Sequence, residues 1–479
     1  MEVKLYDTLT RSIRPLAPQA GKPLGFYVCG PTVYGPAHIG NFRTFVNCDV
    51  LRRVLEVAGY NVRKIRNITD VDDKTIRQSQ EVGQPLGAFT RKWTETFHAD
   101  CAALNLLSPH EEPKATDHIG EMITLVEKLI ENGHAYVTED RSVYFRIKSK
   151  ADYGKLSHFD LEQLQTQATT SSGQRNTADE YARDHISDFA LWKARKPEDG
   201  DNFWPSPWGE GRPGWHLECS AMSMHYLGET FDLHGGGVDL CFPHHENEIA
   251  QSEAATGQPF VRHWFHAAFL VVEGHKMSKS LGNFWTLADV TEMGFSPMVL
   301  RYGLLAGHYR QQLNLTKNGL QAAASALAKM ERAVLPLLDA CKLSKEDFRA
   351  LIRPTRQATT GVFEGAWNAL AEDLNVPAAL GEIFTALKHL GDDTDFHSLA
   401  VKGQVEAFGG ILYALGLELF STPEAAKSEA PEAVVELAEQ RWQAKQAKDF
   451  AEADRLRETL NEQGWKVVDR KDGYALEQV

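Results

Sequence analysis

Two lysines three residues apart, in the unbroken string Lys276-Met277-Ser278-Lys279-Ser280, can grip a departing polyphosphate. Preorganised cations of this kind stabilise charge as it develops in a transition state, without forming a covalent bond. A solvated basic loop has the same composition, but a five-residue string is far more specific than a lone glycine turn. Gly35-Pro36-Ala37-His38-Ile39-Gly40-Asn41 lies where a strand gives way to a helix. A helix N-terminus presents unpaired N–H groups and a partial positive charge, which suits phosphate. His38 and Asn41 can donate hydrogen bonds there, and Gly40 lets a flat base come near the backbone. Taken alone, this run also describes a turn with an incidental histidine.

A second kind of chemistry is suggested by Pro243-His244-His245-Glu246-Asn247-Glu248. His244 and Glu248 are four residues apart and share one helix face, so both can reach the same metal ion. Cys29 and Cys219 are soft donors that can complete the set. The same His/Glu spacing is common on solvated helix faces, and lone cysteines are commonly core. Gly235-Gly236-Gly237 with Asp239 can pass the backbone close to a nucleotide, the carboxylate meeting a ribose hydroxyl; triple glycines occur in many loops.

The elements that must hold these groups follow from periodicity. Gly25 to Cys29 reads as a buried strand ended by Gly30-Pro31. A helix starts near Asn41, with Phe42, Phe45, Val46, Val50 and Val54 on spacings of mostly three and four, and stops at Gly59. Val62 to Ile68 is a second strand, which makes an opening βαβ unit of a parallel sheet, where ligands sit at the carboxyl ends of strands. Thr230 to His234 and Phe269 to Val272 are further strands. Pro243 fits the first turn of a helix through Ala255. From Pro297 to Phe420 the pattern is helical. Ser421 to Ala430 is a Pro/Ala/Glu/Ser-rich linker, followed by one amphipathic helix over roughly Glu432 to Gln463.

The chain has 479 residues, long enough for two or three domains, and a net charge of −14. Such acidity argues against non-specific RNA binding by most of the surface. Arg441 to Gly473, with 8 Lys/Arg against 7 Asp/Glu, is balanced and permits it. Trp465, Tyr474 and the arginines near Arg455 can stack on or clamp bases there. We expect Trp465 to close a small core instead, and leave Tyr474 open. Six dispersed cysteines without a close CxxC pair do not make a disulfide framework. The apolar run Ala267 to Val272 is too short to span a bilayer, and Met1 to Asp7 lacks a secretory pattern, so a cytoplasmic location is expected.

In this order and on this strand pattern, the His-Ile-Gly turn and Lys-Met-Ser-Lys-Ser resemble the paired signatures of class I aminoacyl-tRNA synthetases; Asn41 stands where the first signature usually has a second histidine. Three further segments resemble the cysteinyl-tRNA synthetase family: Tyr27 to Tyr34, Gly211 to Met222 and Phe242 to Glu248. So do Arg66 to Asp70, His234 to Gly237 and the terminal run Ala447 to Arg457. The resemblance implies a Rossmann-like α/β catalytic domain over 1–310, with an insertion at about 115–205. It further implies a helical bundle at 311–420, a linker at 421–434 and a small anticodon-binding domain at 435–479. It implies activation of L-cysteine with ATP and Mg2+, then transfer to tRNA(Cys), by a monomer. His38, Gly40, Asn41, Gly236 and Asp239 would hold ATP, and Lys276 and Lys279 the departing phosphates. One zinc ion would lie between Cys29, Cys219, His244 and Glu248, and Cys29, Thr69, Trp215 and His244 would line the cysteine pocket. Zinc can ionise a thiol outright, whereas a serine hydroxyl is a poor ligand for it. Shape alone separates such isosteres by only about 10²-fold. Two alternatives share the catalytic half: a cysteine ligase acting on an amino sugar, and a non-catalytic RNA-binding relative. The second should have lost His38, Lys276 or Lys279, and all three are present.

Overall fold

A computed structural model describes residues 1–158, 188–278, 282–392, 398–420, 432–447, 449–463, 465–470 and 473–478. Lys279, the second lysine of the basic string, lies outside them. The chain divides into two compact units, Met1–Leu419 and Phe420–Val479.

The first unit is built on a four-stranded parallel sheet. Its strands are β1 (Leu24–Val28), β2 (Val62–Arg66), β3 (Leu233–Gly237) and β4 (Trp264–Ala267), in the spatial order β4-β3-β1-β2. β1 is buried along its whole length, as expected of a central parallel strand. Between β1 and β2 runs α1 (Ile39–Ala58), 16 of whose 20 residues are buried. That burial requires partners on more than one side: α1 packs on β3 and on helices Pro297–Leu305 and Ser398–Leu415. Gly59 ends it at φ 93°, the left-handed conformation that glycine adopts without strain.

Polar groups inside this packing are paired. Asp49 of α1 accepts from Arg53 at 2.7 Å, from Arg301 at 2.6 Å and from the Leu107 amide at 2.8 Å. Arg301, fully buried, also donates to the carbonyls of Leu104 and Leu415. The two arginines outweigh the burial of Asp49 and hold its carboxyl well below the usual range.

Between β2 and β3 a separate antiparallel sheet is inserted, from Ala135–Val137, Val143–Phe145, Phe189–Ala194 and Gly211–Pro213 in that order. It leads into α2 (Trp215–Leu227), and β3 leads into α3 (Glu246–Thr256). The second unit has helices Glu432–Gln446 and Phe450–Glu462 and a hairpin of Trp465–Arg470 with Gly473–Gln478.

Two expectations are corrected. The strand expected at Thr230 to His234 is β3, and it runs through the three glycines instead of ending before them. Gly236 has no room for a side chain, because a Cβ there would come within 2.7 Å of the His245 ring. Pro243 opens the following helix as expected: Phe242 is the non-helical residue of Cys241–His245, and from Pro243 a π-helical turn runs straight into α3 at Glu246. The single tail helix is two, broken before Phe450, where Asp449 caps the second by accepting from Glu452 N–H. Trp465, 7% exposed, packs with Val434, Ala438, Leu460 and Val467, the small core expected for it.

Candidate active site

The carboxyl ends of the parallel strands carry the site. Cys29 follows β1 directly, Asn67 and Thr69 follow β2, and His234 lies in β3. Thr69 is seated against the loop after Cys29 by backbone hydrogen bonds, its N–H to Pro31 O at 3.1 Å and its carbonyl from Val33 N–H at 3.2 Å. From the other side α2 supplies Trp215, Glu218 and Cys219, and the turn into α3 supplies His244, His245 and Glu248.

Cys29, Cys219, His244 and Glu248 meet there, all buried, with one donor atom of each within 4.8 Å of the others. Cys29 Sγ is 3.5 Å from Cys219 Sγ and 3.6 Å from Glu248 Oε1; His244 Nε2 is 3.1 Å from the same oxygen. Four ligands at ~2.0–2.3 Å in a tetrahedron lie about 3.3–3.8 Å apart, so the two Cys29 spacings fall in the range a zinc ion needs and the His244–Glu248 contact lies just below it. The sulfurs are too far apart for a disulfide bond, which is ~2.05 Å long. Two thiols, an imidazole and a carboxylate are a donor set that suits this metal.

A second group, Cys29, His234, His245 and Glu248, satisfies the same distance criterion. In it His245 turns Nε2 toward Cys29 Sγ, 3.4 Å away. His234 Nε2 holds Glu248 Oε2 at 2.9 Å, which turns Oε1 toward His244 and Cys29. His245 is anchored by His266 at 2.7 Å, and His266 by the Thr8 hydroxyl at 2.7 Å. His216 meets His244 ring nitrogen to ring nitrogen at 2.9 Å and leaves Nε2 facing the carboxylate. His234 and His216 therefore orient the Glu248 carboxylate and the His244 ring, an arrangement like that of the outer partners of metal sites.

The four groups set one another's protonation. Burial opposes ionising Glu248, but His234 and His244 outweigh it and hold the carboxyl down at about 2. Burial likewise opposes the charge on His244, and Glu248 and Cys219 overcome it, raising the imidazole. For Cys219 the Cys29 hydrogen bond and His244 outweigh burial and lower the thiol, while burial raises Cys29.

The nucleotide signatures also come together. His38 caps α1: its Nδ1 accepts Asn41 N–H at 3.3 Å, and Asn41 Oδ1 accepts His38 N–H at 3.1 Å. With Nδ1 an acceptor and burial pushing the imidazole down to about 4, the neutral ring carries its proton on Nε2. His38 is thus a hydrogen-bond donor at a helix N-terminus. Asn41 spends its side-chain oxygen on the cap and keeps its amide N–H2 as the donor. A Cβ on Gly40 would come 2.5 Å from Met277 Cε and 2.9 Å from His38 Nδ1, so the basic string rests on the turn that carries His38. Asn283 clasps that string, accepting Ser278 N–H at 2.8 Å and donating to Lys276 O at 3.2 Å. Lys276 itself is exposed.

Trp215, half-buried, lies with its ring centroid 4.3 Å from that of His244, over the quartet. Thr69 is buried and donates to Glu218 Oε2 at 2.8 Å. Asp239 is exposed on the turn Val238–Leu240 that follows β3. The residues that sequence reasoning did not assign are Asn67, His216, Glu218, His234, His245 and His266. His216 and His234 stand inside recognisable segments; the pairing of His245 with His266 depends on the β3–β4 register, for which the sequence holds no local signal.

A parallel sheet with the His38 turn, the basic string and the ends of its strands converging on one cleft defines a class I aminoacyl-tRNA synthetase. The comparisons agree. Residues 15–325 match the family of class I (C) tRNA synthetase catalytic domains. The chain is 52% identical to the cysteine–tRNA ligase of Opitutus terrae, over 100% of this chain and 99% of that protein. It is 42% identical to that of Chlamydia muridarum, over 100% of both. A Mycobacterium tuberculosis methionyl-tRNA synthetase in complex with methionyl-adenylate shares the fold, with TM-score 0.55 at 17% identity over 82% of this chain and 89% of that one. The chain belongs to the cysteine–tRNA ligase family. Among the described residues no helix is long and apolar enough to cross a membrane.

Proposed function

We propose that this protein activates L-cysteine with ATP and transfers it to the 3′ end of tRNA(Cys), selecting the amino acid at a zinc ion held by Cys29, Cys219, His244 and Glu248. The observation that carries the reading is the buried quartet of two cysteines, a histidine and a glutamate, whose donor atoms lie within 4.8 Å of one another. Bound there, zinc supplies a centre that ionises a thiol and takes a hydroxyl poorly. The chain's own groups do the rest. His38 and Asn41 donate to phosphate oxygens of Mg-ATP at the start of α1. Lys276 and Lys279 gather the charge that builds on pyrophosphate as the cysteine carboxylate displaces it from the α-phosphorus. Gly236 and Asp239 border the nucleotide, and Trp215 and Thr69 close the amino-acid pocket.

The second unit favours tRNA over an amino sugar as acceptor. A ligase for a small molecule has no use for residues 420–479, yet full-length relatives named cysteine–tRNA ligase match across that stretch. The test is ATP–pyrophosphate exchange over a panel of amino acids, then charging of tRNA(Cys). Cysteine alone should drive exchange; comparable exchange with serine would refute the metal-based choice, and charging of an amino sugar in place of tRNA would refute the acceptor.

A further inference from the structure

Glu218 stands one residue from a proposed metal ligand and is 1% exposed. Buried carboxylates are ordinarily paired with a cation. Among the described residues none is paired with Glu218; its hydrogen bond comes from the neutral Thr69 hydroxyl, 2.8 Å from Oε2. A positive group is missing from this corner of the pocket.

The hydrogen-bond directions show where one would sit. Asn67 Oδ1 accepts the Gly30 backbone N–H at 2.9 Å, which fixes the amide the right way round, because a backbone N–H can only donate. Asn67 Nδ2 must then donate to Thr69 Oγ1, 3.1 Å away. With that lone pair taken, the Thr69 proton goes to Glu218 Oε2. The hydroxyl keeps one lone pair and no proton, so toward the pocket it can only accept. A carboxylate offers it nothing; an ammonium does.

We infer that Glu218 is a positioning residue that, through Thr69 and with Asn67, makes the pocket select an amino acid's α-ammonium, so that the substrate is held by its thiol at one end and its amine at the other. The inference deepens the proposed function and rests on it. It identifies the substrate class as an α-amino thiol: a thiol acid without the amine meets the metal donors but leaves Glu218 without its cation.

The test compares cysteine with 3-mercaptopropionate, which lacks the amine, in wild-type protein and in Glu218→Gln. Glutamine keeps an acceptor for Thr69 and removes the charge. The KM for cysteine in ATP–pyrophosphate exchange should rise by about tenfold or more, the loss expected of a charged hydrogen-bond partner. The kcat should change less, and the inhibition constant of 3-mercaptopropionate by less than about twofold. Equal shifts for both compounds, or no shift for cysteine, overturn the inference while leaving cysteine activation intact. Failure of the wild-type protein to exchange with cysteine overturns the proposed function itself. Should Glu218→Gln not fold, as judged by circular dichroism, Thr69→Val and Thr69→Ser decide. Valine should reproduce the selective loss and serine should restore wild-type behaviour; identical behaviour of the two refutes it.

Discussion

Cys219→Ser is the change that most directly challenges the proposed selection mechanism. The substitution keeps the shape of the side chain nearly intact but replaces a thiol lowered to about 6 by a hydroxyl that does not ionise in this range. The sulfur it removes lies 3.5 Å from Cys29 Sγ, at one edge of the proposed coordination shell. Structural zinc binding amounts to about 10–16 kcal/mol over four ligands, so one thiolate contributes roughly 3–4 kcal/mol. At 1.4 kcal/mol per decade, zinc affinity should fall by about 10²–10³-fold. Competition with a chromophoric chelator measures that directly, and metal analysis of wild-type protein should return about one zinc per chain. Cysteine-dependent exchange should fall in parallel. The cysteine-to-serine ratio should collapse toward the ~10² that shape alone can give. A variant that holds zinc as tightly as the wild type, or keeps its full preference for cysteine after losing the metal, would show that the quartet does not choose the substrate.

Gly40→Ala should cut exchange by about 10²-fold, the cost of misplacing a reacting group by ~1 Å, because the new methyl would lie 2.9 Å from His38 Nδ1 and 2.5 Å from Met277 Cε. The melting temperature should drop only by what a lost cap is worth, about 1 kcal/mol, and exchange within twofold of wild type would contradict the assigned contact between the two signatures. Asp49→Asn should destabilise the protein by about 3–5 kcal/mol in denaturant titration, since it strands Arg53 and Arg301 in the interior. Asp49 is held below its unfolded value of about 3.9, so its contribution is fully present above that pH and is lost as pH falls through the folded value. The gap between wild type and Asp49→Asn should thus stay constant from about pH 5 to 8 and narrow below about 4; a gap that widens in acid contradicts the pairing. Deleting residues 420–479 should leave cysteine-dependent exchange within a few-fold and cripple charging of tRNA(Cys); equal charging with and without them would remove the tail from tRNA recognition.

What the sequence made legible divides along physical lines. The opening βαβ unit was readable because its signals are local: a buried run ending at Cys29, a three-to-four spacing from Phe42 to Val54, and Gly59 in the conformation only glycine takes easily. The course of β3 was not. Three consecutive glycines read as a loop, because what makes them a strand is parallel pairing with Phe265 to Ala267 of β4, and what requires glycine at 236 is the His245 ring, both tertiary contacts. Pro243 was readable because its preference for a helix start is local: after the non-helical Phe242 the chain is helical from Pro243 into Glu246, and that first turn delivers His244 to the quartet. The quartet drew on spacing for His244 and Glu248 and on family resemblance for Cys29 and Cys219. Nothing in the chain's periodicity brings together two cysteines 190 residues apart.

The supporting shell explains why the quartet is so deeply enclosed. Glu248 spends one oxygen on His234 and turns the other toward His244 and Cys29, and His244 meets His216 through its far nitrogen. Glu248 and His244 are thereby each fixed by a neighbour that is itself buried, so little of their conformational freedom would remain to be lost on binding the proposed metal. Discrimination between a thiol and a hydroxyl requires that rigidity. A loosely held ion could shift to accept oxygen ligands, and the advantage of sulfur would shrink toward the difference in size alone. On the proposed mechanism, His216 and His234 would contribute to the selectivity of the site although neither is a proposed ligand. Alanine at either position would loosen the metal by the ~10–100-fold typical of outer partners and let serine compete.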